Sequence, residues 1–236
     1  MHKFGKILVY VIVCFVLIVL LIRILWLQSF HVGSASMTPT ILSGENVFIS
    51  KPAYGYSRYS FPLGGSIKYF SGRIWGEEPT LGDVVVFRSV PDQGVDFVKR
   101  IVGLPGDRVQ MKEGILYIND SPCLVEFEKN ITIVNDFGKT IKAAQFKETL
   151  PNGRQHLILK QVLFGKGQYD NTPVLTVPPG HYFMMGDNRD ESHDSRGQGI
   201  VGNIPFENLV GRADFIASSP VRDISVWTLW KYQGIQ

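Results

Sequence analysis

Ser34 and Ser36, two hydroxyls standing two residues apart, are the first groups in this chain whose type and spacing could do chemistry. They lie in Val32-Gly33-Ser34-Ala35-Ser36-Met37-Thr38-Pro39-Thr40, and in an extended segment both would point the same way. Gly33 and Ala35 leave the surrounding backbone uncovered, which suits a place where another peptide lies alongside. A serine hydroxyl is a poor nucleophile until a base within hydrogen-bond reach takes its proton. One candidate base is Lys99, in the run Val95-Asp96-Phe97-Val98-Lys99-Arg100-Ile101-Val102. In a strand, Phe97, Lys99 and Ile101 share one face, and Val98, Arg100 and Val102 share the other. Whichever face is buried, one cation goes in with apolar neighbours. Burial disfavours the charged form of a lysine, whereas an arginine stays protonated. An inward Lys99 would therefore be a neutral amine able to accept a proton.

The elements that must position these groups begin with an anchor. Ile7 to Leu27 is apolar except for Arg23 and Tyr10, a run of 21 residues, close to the ~20 that cross a hydrocarbon core. Arg23 can snorkel to the interface beside Trp26. Lys3 and Lys6 precede the run, and no Lys or Arg occurs between Arg23 and Lys51. The positive-inside bias then places residues 1–6 in the cytoplasm, a transmembrane helix at 7–27 and the remainder outside. A cleavable signal peptide cut at Gly33-x-Ala35 is the competing reading, and the length of the apolar run argues against it. The serines would thus sit a few residues from a membrane surface, where a nucleophile could act on something emerging from the same bilayer.

The remainder reads as mostly β. Residues 28–109 form the first part of a core, 110–177 an inserted smaller β subdomain and 178–236 the second part of the core. Glu45-Asn46-Val47-Phe48-Ile49-Ser50 is a strand leaving the serine stretch. Residues 54–75 carry Tyr54, Tyr56, Tyr59, Phe61, Tyr69, Phe70 and Trp75 without strict alternation, so they read as a loop or irregular strands. Those aromatics either pack against the sheet or form an interfacial belt. Val84-Val85-Val86-Phe87, the turn Pro91-Asp92-Gln93-Gly94 and the Lys99 run form a hairpin, and Arg108-Val109-Gln110 starts another strand. The insertion alternates short strands with polar stretches such as Lys139–Lys147 and Gly165–Thr172 and carries no nameable chemistry. His181–Met185 returns as a strand, followed by a polar loop, 186–197, with four acids, two arginines and two serines. Such a loop is expected to satisfy its charges internally. Ile200-Val201 and Leu209–Ala217 give further strands, and Val226-Trp227-Thr228-Leu229-Trp230 closes the sheet or rests on the membrane.

Composition narrows the field. With 236 residues there is room for one or two domains plus an anchor. A net charge of +3 does not call for a nucleic-acid partner. Cys14 falls in the apolar run, so a disulfide with Cys123 is implausible, and no metal-type Cys/His spacing appears.

At three blocks the chain closely resembles type I signal peptidase, the bacterial leader peptidase. They are the serine stretch through Tyr54-Gly55, Gly82 to Val109, and Met184 to Arg196, together about a quarter of the chain. Lys99-Arg100-Ile101-Val102-Gly103-Leu104-Pro105-Gly106-Asp107 and Gly186-Asp187-Asn188-Arg189-Asp190-Glu191-Ser192-His193-Asp194-Ser195-Arg196 are the specific parts. The resemblance implies a signal-peptidase-like β catalytic core and a Ser-Lys dyad, a known variant of the serine-protease constellation. Ser36 matches the nucleophile and Lys99 the general base. Ser34, with the Ser36 N–H, matches the oxyanion hole, and Ser192 the hydroxyl that orients the lysine. Asp194 with Arg196, and Asp187 with Arg100, match supporting ion pairs. Val32, Gly33, Met37, Ile41, Phe97 and Val98 match the substrate groove, where an extended peptide would add as a strand with small side chains at −1 and −3. The family usually has Pro where this chain has Gly33. The implied activity is removal of signal peptides from secretory preproteins at the outer, periplasmic side of a bacterial inner membrane. The implied partners are those signal peptides, the lipid bilayer and the protein-export machinery, with no nucleic acid, metal or other cofactor.

Three other classes compete. A Ser-His-Asp hydrolase could draw on His31, His156, His181 or His193, but no Gly-x-Ser-x-Gly elbow surrounds Ser36. Self-cleaving SOS repressors share Ser-Lys chemistry but carry a DNA-binding domain where this chain has its apolar run. A non-enzymatic anchored module would leave the serines merely small.

Overall fold

An apolar run that no other element covers folds as one long helix. In the computed structural model, which describes residues 2–61, 71–90, 94–197, 201–220 and 235, α1 spans His2–Leu25. Its stretch Phe4–Ile22 has a mean hydropathy of 3.0, and none of it is buried against the rest of the chain. A helix apolar all round and uncovered by protein is one that lipid can surround. The helix ends at Leu25 rather than Leu27, because Leu27 opens β1 (Leu27–His31), paired with β2 (Asn46–Ser50) from Leu27↔Ser50 to His31↔Asn46. The Tyr56 hydroxyl donates to the Leu25 carbonyl at 2.6 Å, satisfying one of the carbonyls a helix end leaves without a partner. The snorkelling expected of Arg23 and the C-terminal Val226–Trp230 fall outside what is described.

The aromatic segment is irregular, as expected. It holds short 3-10 turns at Pro52–Tyr54 and Arg58–Ser60 and a two-stranded pair, β3 (Tyr56–Ser57) with β4 (Arg73–Ile74). Its described aromatics divide between burial and exposure. Tyr54, Tyr56 and Tyr59 are buried, whereas Trp75 is 83% exposed, edge-on to Tyr56 beside the end of α1. Tyr69 and Phe70 lie outside the described residues.

β5 (Val84–Arg88) and β6 (Asp96–Gly103) form the expected hairpin, in register Val85↔Lys99 and Phe87↔Phe97. Of its turn, only Gly94 is among the described residues. The chain continues through β7 (Arg108–Lys112), β8 (Ile115–Ile118) and β9 (Ser121–Pro122). Then come β10 (Leu124–Val134), β11 (Thr140–Thr149), β12 (Gln155–Lys160) and β13 (Leu175–Thr176). β14 (His181–Met185), β15 (Ile204–Pro205) and β16 (Leu209–Ser218) complete it. Seven strands make the main sheet in the order β1-β2-β16-β5-β6-β14-β15, β10–β12 make a second, and β13-β7-β8-β9 a third. The stretch 139–147, expected as a polar connection, is mostly strand, because β10 supplies it with a long cross-strand partner. Val201 sits in a turn rather than a strand, and Ile200 is outside the described residues.

Both faces of the β5–β6 hairpin are covered. Val84, Val86 and Val98 pack with Val32, Met37, Ile41 and Val210, while Val85, Phe87 and Ile101 pack with Tyr182, Met184 and Leu209. Sequence alternation allowed for one buried cation, but two-sided burial takes in both: Lys99 is 2% exposed and Arg100 1%.

Arg100 is neutralised by Asp187, through Nε–Oδ1 at 2.9 Å and Nη2–Oδ2 at 2.8 Å. Asp187 also accepts from the Thr40 hydroxyl. His156 Nε2 stands 3.9 Å from Asp187 and 3.3 Å from Glu148, and Glu148 in turn receives the Arg189 guanidinium. Burial, with Arg100 beside it, pushes His156 below its ordinary value, so it sits neutral between the two pairs. Burial alone would raise the Glu148 carboxyl, but Arg189 outweighs it and holds the group well below the carboxylate range. This row stitches β11 and β12 to the core. Only Asp194–Arg196 among the ion pairs of loop 186–197 is internal; Asp187, Arg189 and Asp190 find partners on β6, β11 and β12. Arg189→Met would leave Glu148 charged and unpaired, so it should cost about 3–5 kcal/mol in denaturant unfolding, and adding Glu148→Met should restore most of that loss.

Candidate active site

The site forms where β14 runs out. Its last pair is Met185↔Arg100, so the chain leaves the sheet at Gly186, beside Lys99, and loop 186–196 begins over the lysine. A Cβ on Gly186 would lie 2.5 Å from the Ser36 carbonyl oxygen and closer still to the Ser192 hydroxyl. Only a residue without a side chain lets the loop and the serine turn approach this closely.

The serine stretch is not extended throughout. Ser34 is extended (φ −139°, ψ 156°), but Ala35–Met37 form a single 3-10 turn. The loop holds that turn from outside: the Asn188 N–H donates to the Ser36 carbonyl at 3.1 Å and its side-chain amide to the Ala35 carbonyl at 3.1 Å. The Ser34 and Ser36 hydroxyls still meet, at 3.1 Å.

Lys99 Nζ stands 2.6 Å from Ser36 Oγ and 3.0 Å from the Val98 carbonyl. Burial brings the amine down to about 8, with Asp194 and Asp187 pulling it partly back. The Phe97 ring centre is 5.6 Å from Nζ. A largely desolvated amine within hydrogen-bond reach of a hydroxyl can take its proton near neutral pH.

Asp194 is fully buried and gripped by Arg196 at 2.8 and 2.7 Å and by the Gly186 N–H at 3.0 Å. Burial would raise its carboxyl; Arg196 outweighs that and keeps it below the usual range. Ser192 is 4% exposed. Its hydroxyl lies near enough to Asp194 to favour that charge, yet among the described residues it makes no aligned hydrogen bond, to Lys99 or to any other group. Of the groove residues, Gly33 is exposed and Phe97 half-buried, whereas Val32, Met37, Ile41 and Val98 are core side chains, each at most 4% exposed.

His193 is exposed on the loop beside Ser192, and the other three candidate histidines lie elsewhere. His31 bonds Asn46, His181 bonds the Pro179 carbonyl, and His156 belongs to the buried ionic row. Sequence reasoning singled out neither Gly186 nor Asn188, although a glycine ending an apolar strand is a signal of close approach. It missed Asp136 entirely. That residue lies at the tip joining β10 and β11, and its Oδ1 accepts the Ala35 N–H at 2.6 Å from 101 positions away.

A profile of the family described as Signal peptidase, peptidase S26, matches residues 5–218. The chain is 45% identical over 203 residues to Signal peptidase I of Rickettsia conorii, covering 84% of this chain and 74% of that one. It is 45% identical over 205 residues to that of Rickettsia canadensis, covering 85% and 75%. The crystal structure of a signal peptidase I from Enterococcus faecalis aligns at 25% identity over 58% of this chain and 97% of its own, with a TM-score of 0.34.

Gly186→Ala should displace both the serine turn and Ser192. A misplacement of about 1 Å is worth roughly 10²-fold in rate, so peptide hydrolysis by the purified variant should fall about a hundredfold while its circular dichroism stays that of the parent.

Proposed function

This chain belongs to the signal peptidase family, peptidase S26, the type I signal peptidases that act as serine-peptidase hydrolases, and on that premise we propose that it removes signal peptides from preproteins with Ser36 as nucleophile and neutral Lys99 as general base. The observation that carries this reading is the 2.6 Å approach of a buried amine to the Ser36 hydroxyl. In the first step Ser36 Oγ attacks the carbonyl at the end of the signal peptide as Lys99 takes its proton. The oxyanion is met by the Ser36 N–H and by the Ser34 hydroxyl, which turns away from Ser36 Oγ to reach it. Lys99 then returns the proton to the leaving amine, and a water, activated by the same amine, frees the acyl group. Ser192, whose hydroxyl crowds Gly186 on the same loop, would be the group that orients the amine. The pairs Asp194–Arg196 and Asp187–Arg100 keep the loop and β6 in register.

The peptide would lie along the exposed backbone at Gly33 and Phe97. Val32, Met37, Ile41 and Val98 would floor pockets shallow enough to favour small residues at −1 and −3. α1 would cross the bacterial inner membrane with residues 1–6 in the cytoplasm, and Trp26 and Trp75, both strongly exposed near its end, would meet the outer interface. The catalytic core, 28–109 with 178–236, and the insertion 110–177 would then face the periplasm, where the export machinery delivers preproteins.

The test is cleavage of a synthetic Ala-x-Ala precursor by the detergent-solubilised full chain. Ser36→Ala, Lys99→Ala and Lys99→Arg should each lose at least about 10³-fold, Arg because it stays protonated. Only the uncharged amine works, so kcat/KM should rise with pH through about 8 and level off above it. An active Lys99→Arg protein, or a pH profile that moves with a histidine substitution, would refute the dyad.

A further inference from the structure

The ribbon β10–β11 does more than decorate the core. Its tip folds against the serine turn, where Asp136 takes the Ala35 N–H, the donor one residue before the nucleophile. Between this tip and the loop after β14 lies a cavity of about 260 Å³, lined among others by Asp136, Phe137, Tyr169, Glu191 and Ser192. It meets the catalytic centre through Ser192, whose buried hydroxyl has no aligned hydrogen bond. None of the residues proposed to line the signal-peptide groove borders it, so it is separate from that groove. The lining of the cavity carries three carboxylates, Asp136, Asp190 and Glu191, with one histidine, His193. Asp190 is held by Lys160, but among the described residues neither Asp136 nor Glu191 is in an ion pair. Phe137, 93% exposed, offers an apolar wall at the same mouth.

A peptide bound across Ser36 has two halves, and the groove along Gly33 takes only the one that ends in the scissile carbonyl. We propose that this cavity receives the other half, the first residues of the mature chain, and that Asp136 makes it prefer basic or neutral residues there and reject acidic ones. The inference rests on the function proposed above. It adds a specificity for the positions after the cut, set by a residue of the insertion rather than of the catalytic blocks. The same carboxylates would face the new amino terminus that cleavage creates, which leaves as a cation once protonated.

The experiment compares three precursor peptides, identical except for Lys, Gln or Asp at the first mature position, with the solubilised full chain. An exposed to half-buried charge pair is worth about two- to fivefold, so wild-type protein should cut the Lys peptide faster than the Asp peptide by about that factor. The Lys-to-Asp ratio should fall towards one in Asp136→Asn and invert in Asp136→Lys. Because the ratio is taken within each protein, a general loss of activity cancels. Asp120→Asn, which removes a charge at an exposed pair with Arg108, should keep the wild-type ratio. A ratio unmoved by both Asp136 variants, or moved equally by Asp120→Asn, would overturn the assignment while leaving the proposed function intact. Failure of wild-type protein to cut the Gln peptide, or equal cutting by Ser36→Ala, would sink the function and this inference with it.

Discussion

The structure turns on one unfavourable act, the removal of an amine from water. An ammonium surrounded by solvent cannot serve as a base near neutrality, and a lysine on the rim of a cleft would stay charged. Here the β5–β6 hairpin is covered on both faces, so Lys99 has no path outward. Holding its pKa at about 8 against an ordinary 10.5 costs the fold on the order of 3 kcal/mol, a large share of a typical domain's stability. The core must be extensive enough to carry that cost, and it sets the Ser36 hydroxyl at contact distance from the amine.

Three devices hold the hydroxyl there. Gly186 lets two backbones touch where any side chain would separate them. Asn188 grips two consecutive carbonyls of the serine turn. The row Arg100, Asp187, His156, Glu148 and Arg189 then fastens the loop that carries Asn188 to three strands at once. Charges alternate along this row around a neutral imidazole, so each buried ion has a counterpart, the condition under which buried ions are tolerated at all. The insertion therefore takes part in the site: two members of the row and the Asp136 contact come from it.

Features that depend on local pattern were legible in the sequence. The continuous apolar runs gave the helix and the central hairpin, and the spacing of Ser34, Ser36 and Lys99 marked groups that do converge. What escaped was set by pairing across long separations. Alternation in β6 implied one buried cation because it describes a single strand, whereas burial of the second face is a property of the packed sheet. Loop 186–197 was expected to settle its charges internally, but three of its charged residues reach partners on other elements, and composition says nothing about reach. The turn at Ser36 replaced an extended segment because Asn188, 152 positions later, holds its carbonyls. Asp136 carried no sequence signal of any kind.

The hydrogen bond from Tyr56 to the last carbonyl of α1, that of Leu25, has a geometric consequence. Strand β1 starts almost where the helix stops, and this second fastening leaves no slack for the catalytic sheet to swing on a flexible stalk. With α1 embedded in lipid, the Ser36 oxygen would ride at one fixed height above the bilayer. The chain would then act as a gauge as well as a reader of flanking residues, reaching only those bonds that a threaded peptide presents at that altitude.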